Sequence, residues 1–288
     1  MLIGHKNGIM PAPVLHIMAS LRSIHEGENM GILKGKIAIV TGASRSQGIG
    51  SAICLMLAEA GADIFFTHWS NYDENEGVGI EKGYPTVLCN KIKNMGVRCH
   101  HMEIDLSKPD APTNILNHVE ETLGVASVLI NNATYEKLAD FRTLTAEVLD
   151  RHYQINNSGT ILLSTEFAKR FERAFSGKSG GRIINLVSKG PDPNNLAYIA
   201  SKGMIIALTE PLSVGLAPIG ITVNSVDPGP TDSGWMDKAT KESLSRLFPT
   251  GNVGKPDDAA RLVKFLASDE SAWITGQVIK SEGGFVGR

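Results

Sequence analysis

Cysteine is scarce in this 288-residue chain, and the three present, Cys54, Cys89 and Cys99, leave one over if two were to pair. Their spacing matches no set of metal ligands, so no metal site is expected, and a reducing compartment, the cytoplasm, is the simplest location. Neither sign of charge dominates. The 28 basic and 30 acidic side chains give a formal charge of −2, which removes the global electrostatic case for nucleic acid while leaving local anion sites open. No hydrophobic run reads as long enough to span a bilayer, and His16–Leu21 lacks the basic flank of a secretory leader, so no membrane partner is expected. Internal repeats and low-complexity tracts are absent as well.

Residues 1–33 carry no sustained periodicity, being interrupted by Gly4, Gly8, Pro11, Pro13, Gly27 and Gly31. They read as a mobile N-terminal arm, or as an extension from an early start codon ahead of Met30; an arm that crosses a subunit boundary is the other reading. Residues 34–288 read as a single domain. From Lys36 short β-branched runs alternate with longer amphipathic stretches. The expected strands are Ile37–Thr41, Asp63–Thr67, Val97–Ile104, Ser127–Asn131, Gly181–Leu186, Thr222–Val226 and Gln277–Lys280. The expected helices are Gly50–Glu59, Thr86–Met95, Ala111–Thr122, Ala146–Arg173, Tyr198–Leu216 and Asp257–Ala267. Seven strands in this order make a Rossmann-like, doubly wound parallel sheet with helices on both faces the economical fold. Two stretches break the rhythm: His68–Pro85 reads as a long polar loop with Trp69 and Tyr72 as its large side chains, and Pro228–Thr250 reads as a substrate loop ending in a short charged helix.

Between the first strand and the first helix lies Thr41-Gly42-Ala43-Ser44-Arg45-Ser46-Gln47-Gly48-Ile49-Gly50. Gly42, Gly48 and Gly50 suit a tight turn and close backbone approach, and the amides that open the next helix can receive a pyrophosphate. The spacing, Gly-x5-Gly-x-Gly, is longer than the usual dinucleotide fingerprint. No carboxylate ends the second strand, where one would hold the ribose of NAD; Thr67 is followed by His68 and Trp69. Arg45 or His68 can meet a 2′-phosphate instead, so NADP(H) is favoured over NAD(H). Asp105-Leu106 follows the third strand, where the carboxylate either accepts from an adenine or caps the next helix. Asn131-Asn132-Ala133 closes the fourth strand beside the expected adenosine.

Ser188 stands at the end of the apolar run Ile183–Val187, and ten residues on comes Tyr198-Ile199-Ala200-Ser201-Lys202. A phenol and an ammonium one helical turn apart share a face, so the lysine can lower the phenol's pKa while the serine holds a substrate oxygen. That combination moves a proton to or from a carbonyl oxygen. Taken in order, Gly42/Gly48/Gly50, Asp105, Asn131-Asn132-Ala133, Asn156, Ser188, Tyr198/Lys202 and Pro228-Gly229 resemble the classical short-chain dehydrogenase/reductase family from about Lys34 to Gly284. Within it the pattern is most similar to the 3-oxoacyl-acyl-carrier-protein reductases.

The resemblance implies that Tyr198 is the general acid in reduction, that Lys202 lowers its pKa and binds the nicotinamide ribose, and that Ser188 steadies the substrate oxygen. It implies that Asn156 bends its helix and holds a water linking Lys202 to solvent, with Asn157 second choice, and that Thr231, after Pro228-Gly229, meets the nicotinamide carboxamide. It implies a homotetramer built on the two long helices and the C-terminal segment. The substrate is expected to be a small carbonyl compound or acyl thioester; Lys169, Arg170 and Arg173 read equally as a carrier-protein docking site or a solvated face. Three departures stand out: two extra residues in the glycine loop, Thr134 where the Asn-Asn-Ala motif normally continues with glycine, and a short Ser188–Tyr198 interval that predicts a more open pocket or one completed by Trp235. Two alternatives stay open. The loop length is similar to that of enoyl-thioester reductases, but their lysine lies seven positions past the tyrosine, where this chain has Ile205. A non-catalytic NADP(H)-sensing protein would keep the nucleotide fold without turnover.

Overall fold

In the computed structural model, which describes residues 31–77 and 79–287, all seven strand-like runs join one parallel sheet. Its strands are β1 (Ile37–Val40), β2 (Asp63–His68), β3 (Cys99–Glu103), β4 (Val128–Asn131), β5 (Gly181–Leu186), β6 (Ile221–Asp227) and β7 (Val278–Lys280), ordered β3-β2-β1-β4-β5-β6-β7. The order reverses between β1 and β4, and a crevice opens there at the carboxyl ends of the strands, where open α/β sheets bind their ligands. The helices are α1 (Ile49–Glu59), α2 (Ser70–Asn75), α3 (Tyr84–Lys93), α4 (Ala111–Thr122), α5 (Ala146–His152), α6 (Thr160–Ala174), α7 (Leu196–Leu216), α8 (Lys238–Ser245) and α9 (Pro256–Ala267).

Strand residues alternate faces, and with both faces covered the central strands are largely apolar, β1 throughout, whereas the edge strand β3 carries His100, His101 and Glu103. Ala38, Val40, Ile64, Phe66, Val128 and Ile130 enter a core with α1, α3 and α9, while Ile39, Phe65, Leu129 and Ile183 enter a second core with α4 and α6. Phe65 and Phe66 are thus neighbours in sequence and fully buried on opposite sides. Truncating either to alanine costs about 3–5 kcal/mol.

Four sequence expectations need correction. The 68–85 stretch is not all loop, because α2 forms within it: the Glu103 carboxylate accepts from the Ser70 amide at 3.0 Å, satisfying a donor at the helix start, and Tyr72 anchors the turn against Tyr135. The long helix expected over Ala146–Arg173 is interrupted by a π-helical turn, Tyr153–Gly159, which widens the coil so that both Asn156 and Asn157 are buried. Leu33, placed in the arm, is 1 % exposed and its amide donates to Ala60 O at 2.9 Å; residues 1–30 lie outside the described residues. Finally, Leu196–Ile219 is long and apolar enough to cross a bilayer. In the fold, however, Ser201, Lys202, Thr209 and Ser213 on α7 are buried, and the Thr209 hydroxyl lies 2.7 Å from Ser225 Oγ of β6.

Candidate active site

The floor of the crevice is stitched across β2, β1 and β4. The Thr41 hydroxyl accepts from the amides of Asn132 and Ala133, both at 3.0 Å, and Asn132 Nδ2 donates to the carbonyls of Thr41 and Gly42, both at 2.9 Å. The Gly42 and Ala43 amides donate to Thr67 O at 3.0 and 2.8 Å. Gly42 has φ 76°, and a Cβ there would come within 2.7 Å of Ala133 Cα; at Gly50 it would come within 2.4 Å of Gly42 O. No side chain larger than glycine's fits either place. Gly48 precedes α1, Ile49 opens it, and its first turn carries no acidic residue. The leading amides of a helix lack intrahelical acceptors, so this end fits the pyrophosphate of a dinucleotide.

This part of the crevice is lined by Gly42, Thr67, His68, Trp69, Leu106 and Ala133, with Tyr72, Thr134 and Tyr135 closing it. α2 acts as a cover: the Tyr72 hydroxyl accepts from Glu136 N at 3.2 Å, the Tyr135 hydroxyl donates to Glu76, and the Arg151 guanidinium lies 5.2 Å from the Trp69 ring centroid. His68 Nε2 and His101 Nδ1 are 3.0 Å apart. Arg45 does not stand free for a phosphate. Its Nε lies 3.5 Å from the Asp73 carboxylate and Nη1 donates to Ser233 O at 3.1 Å. Ser44 also hydrogen-bonds Asp73, whose carboxyl burial pushes up against these two neighbours. Asp105 holds a turn, accepting from the Ser107 amide at 2.9 Å, and the cap position of α4 belongs to Asp110.

At the other end of the crevice, Lys202 is 5 % exposed and its ammonium donates to Leu186 O, the last carbonyl of β5, at 2.9 Å. Burial pulls it down to about 8, against the carboxylate of Glu136. The ammonium lies 5.6 Å from the Tyr198 ring centroid. The expected lowering of the phenol is not what these surroundings produce. Burial pushes Tyr198 above its ordinary value, Glu136, Tyr72 and Asp227 add to the rise, and the Thr134 hydroxyl opposes it. Ser188 is half-buried two residues beyond Leu186, so the Lys202 bond ties the serine's strand to the tyrosine's helix.

Asn156, in the π turn, uses both ends of its amide. Its Oδ1 accepts from Tyr135 N at 2.7 Å, and its Nδ2 donates to Tyr135 O and to Ser201 Oγ, each at 2.9 Å. Asn157 Nδ2 donates to Ser201 O at 2.7 Å. The π turn is thus locked to the helix carrying Tyr198 and Lys202. At the end of the shortened interval before Tyr198, Ala139 N donates to Asn194 O at 2.8 Å, and the Asn195 side chain donates to Glu136.

Pro228 and Gly229 follow β6, and Gly229 has φ 62° with its Cα facing Glu282, whose Cβ would lie 2.7 Å from an added methyl. Thr231 is 6 % exposed and its hydroxyl donates toward Gly229 O at 3.2 Å. In the loop beyond, Trp235 Nε1 donates to Thr231 O at 2.9 Å, leaving the ring half exposed, and Met236 is buried. Sequence reasoning missed Thr41, Tyr135, Glu136 and His101. Only Thr134 and Tyr72 had left a signal, one as a departure from the motif and the other as a large side chain in a polar stretch.

A parallel sheet reversing at a glycine-lined phosphate cradle, with a buried lysine one turn from a tyrosine at the cradle's far end, defines a nucleotide-dependent oxidoreductase. Residues 42–286 match the family model described as enoyl-(acyl carrier protein) reductase. The chain is 49 % identical over 254 residues to the uncharacterized oxidoreductase YjdA of Bacillus subtilis, covering 87 % of this chain and 97 % of that one. It is 34 % identical to an NADPH-dependent aldehyde reductase-like chloroplastic protein of Arabidopsis thaliana, covering 88 % and 95 %. A short-chain dehydrogenase of Burkholderia cenocepacia, solved in complex with NADP, superposes with a TM-score of 0.77 at 32 % identity, covering 88 % and 99 %. The chain belongs to the short-chain dehydrogenase/reductase family.

Proposed function

We propose that the protein reduces a ketone to a secondary alcohol with NADPH, an acyl thioester being one candidate substrate. The observation that carries this reading is the buried Tyr198–Lys202 pair held by Leu186 O on one side and by Asn156 through Ser201 on the other. The bound nicotinamide supplies the hydride. Tyr198 donates the proton to the substrate oxygen; its raised pKa keeps the phenol protonated until alkoxide character develops there. Ser188 donates a hydrogen bond to the same oxygen. Lys202 contributes its positive charge in a water-poor site, where the interaction is stronger than in water, and reaches the nicotinamide ribose. Asn156 is a positioning residue that fixes Ser201, one residue from Lys202. The phosphate cradle of Gly42, Gly48, Ile49 and Gly50 takes the pyrophosphate, while Leu106, Asn132 and Ala133 border the adenosine, Asn132 by holding the loop. Thr231 backs the carboxamide position.

The name of the matched family model favours a second reading, enoyl-thioester reduction. Against it, the lysine stands four positions after Tyr198, and Ile205, seven positions after, is buried in α7. The relative's printed NADPH dependence and the neighbour's bound NADP support the cofactor preference. We assign residues 34–288 to one catalytic domain in the cytoplasm, with 228–250 as its substrate loop. Exposed Leu149 on α5, Tyr153 in the π turn, Leu162 on α6 and Val214 on α7 support self-association, as a tetramer in this reading. Tyr198→Phe tests the assignment: NADPH affinity stays within about twofold while turnover of a ketone falls about a thousandfold. Near-normal turnover would remove the tyrosine from the chemistry.

A further inference from the structure

We propose that His68 and His101 together read the 2′-phosphate of NADP(H), and that they take up one proton as they bind it. The inference rests on the NADP(H) reading above and assigns the discrimination to a pair of side chains that act as one proton-linked unit.

The carboxyl end of β2 is where Rossmann-type sheets choose between a ribose hydroxyl and its phosphate. His68 occupies that place and lines the adenosine crevice. The cation expected to help it is already matched, because Arg45 faces Asp73 at 3.5 Å and donates to Ser233 O. His101 pairs with His68 through β-sheet register: Phe66 of β2 sits opposite His101 of β3, and the two rings stack with centroids 5.2 Å apart. That stacking aims His101 along the sheet at His68, whose Nε2 lies 3.0 Å from His101 Nδ1.

Two ring nitrogens at that distance share a single proton, one ring donating and the other accepting. A second proton turns the contact into repulsion, as the effect of His101 on His68 shows. The other groups facing the pair do little to change this. Glu103 favours a charged His68 but is engaged by the Ser70 amide and hydroxyl, while Lys93 on α3 and His100 on β3 disfavour charge on His101. Burial disfavours it on both rings. In the free protein near neutral pH the pair is therefore uncharged. A phosphate dianion against the pair reverses the balance, so binding draws in a proton. NAD(H) has no such group and draws in none.

The test is calorimetric titration of the full chain with NADPH and with NADH between about pH 6.5 and about pH 8.5, each in two buffers of different ionisation enthalpy. The NADPH Kd should rise with pH by up to about tenfold per pH unit, with close to one proton taken up, while the NADH Kd stays flat. His68→Gln and His101→Gln should each flatten the NADPH profile and weaken NADPH at the acid end, with the thermal unfolding midpoint of the cofactor-free protein as the check on folding. Arg45→Ala should leave the NADPH slope in place. NADPH preferred without a pH slope or proton uptake overturns the histidine pair and leaves the cofactor reading standing. Equal affinity for NADPH and NADH at every pH overturns the cofactor reading itself. A slope that persists when both histidines are replaced belongs to the phosphate's own titration and also overturns the pair.

Discussion

Replacing Lys202 with methionine should make the protein more stable while abolishing reduction. The ammonium is buried, and its displacement from 10.5 to about 8 corresponds to about 3 kcal/mol of cost for keeping it charged in the fold. Methionine fills a similar volume without that cost, at the loss of the hydrogen bond to Leu186 O, worth about 1 kcal/mol. The net expectation is a gain of about 2 kcal/mol at about pH 7. The sign with pH follows from the lowered folded value. Between about 8 and 10.5 the unfolded chain holds a proton that the folded chain has released, so proton linkage reduces the penalty on the wild type as pH rises through this window. By about pH 9.5 the wild type should have recovered about 2 kcal/mol, closing the gap to the variant. Urea unfolding of both proteins without cofactor at the two pH values measures this directly. A gap that is unchanged with pH, or a variant less stable at the lower value, would refute the claim that a charged lysine is held there against desolvation.

The same group sets the pH profile of the reaction. With Lys202 needed as the ammonium, kcat/KM for ketone reduction should fall as pH rises through about 8, and a profile flat to about pH 9.5 would contradict the role. Gly50→Ala places a methyl 2.4 Å from Gly42 O and 2.6 Å from Asn132 Nδ2, forcing the asparagine off the loop. It should destabilise the protein by about 1–3 kcal/mol and raise the NADPH Kd at least about tenfold, read by fluorescence titration; unchanged affinity would show that the loop is not the cradle.

The sheet was legible because its central strands are largely buried on both faces, so that runs such as Ile37–Val40 and Ile64–Phe66 are apolar without a break and stand out between amphipathic helices. The ordering of Ser188, Tyr198 and Lys202 after β5 was legible for the same reason: their positions are counted from strand ends. What escaped was set by contacts between distant segments. α2 is a polar hexapeptide, and its folded form depends on Glu103 and Tyr135, which lie about 30 and about 60 residues away, beyond the reach of local propensity. The commitment of Arg45 depends on Asp73 and Ser233, and the His68–His101 contact depends on strand register, which periodicity does not reveal. Asn156 was found by motif, but its role as a lock on Ser201 required the π turn that the pattern could not show.

The central claim is carbonyl reduction by the Tyr198–Lys202 pair, and the most direct test is NADPH oxidation by the purified protein against parallel panels of ketones, 3-oxoacyl thioesters and enoyl thioesters. The account predicts turnover of a carbonyl panel, lost in Tyr198→Phe, and no turnover of the enoyl panel. Reduction of enoyl thioesters alone, or carbonyl turnover that survives Tyr198→Phe, would contradict it.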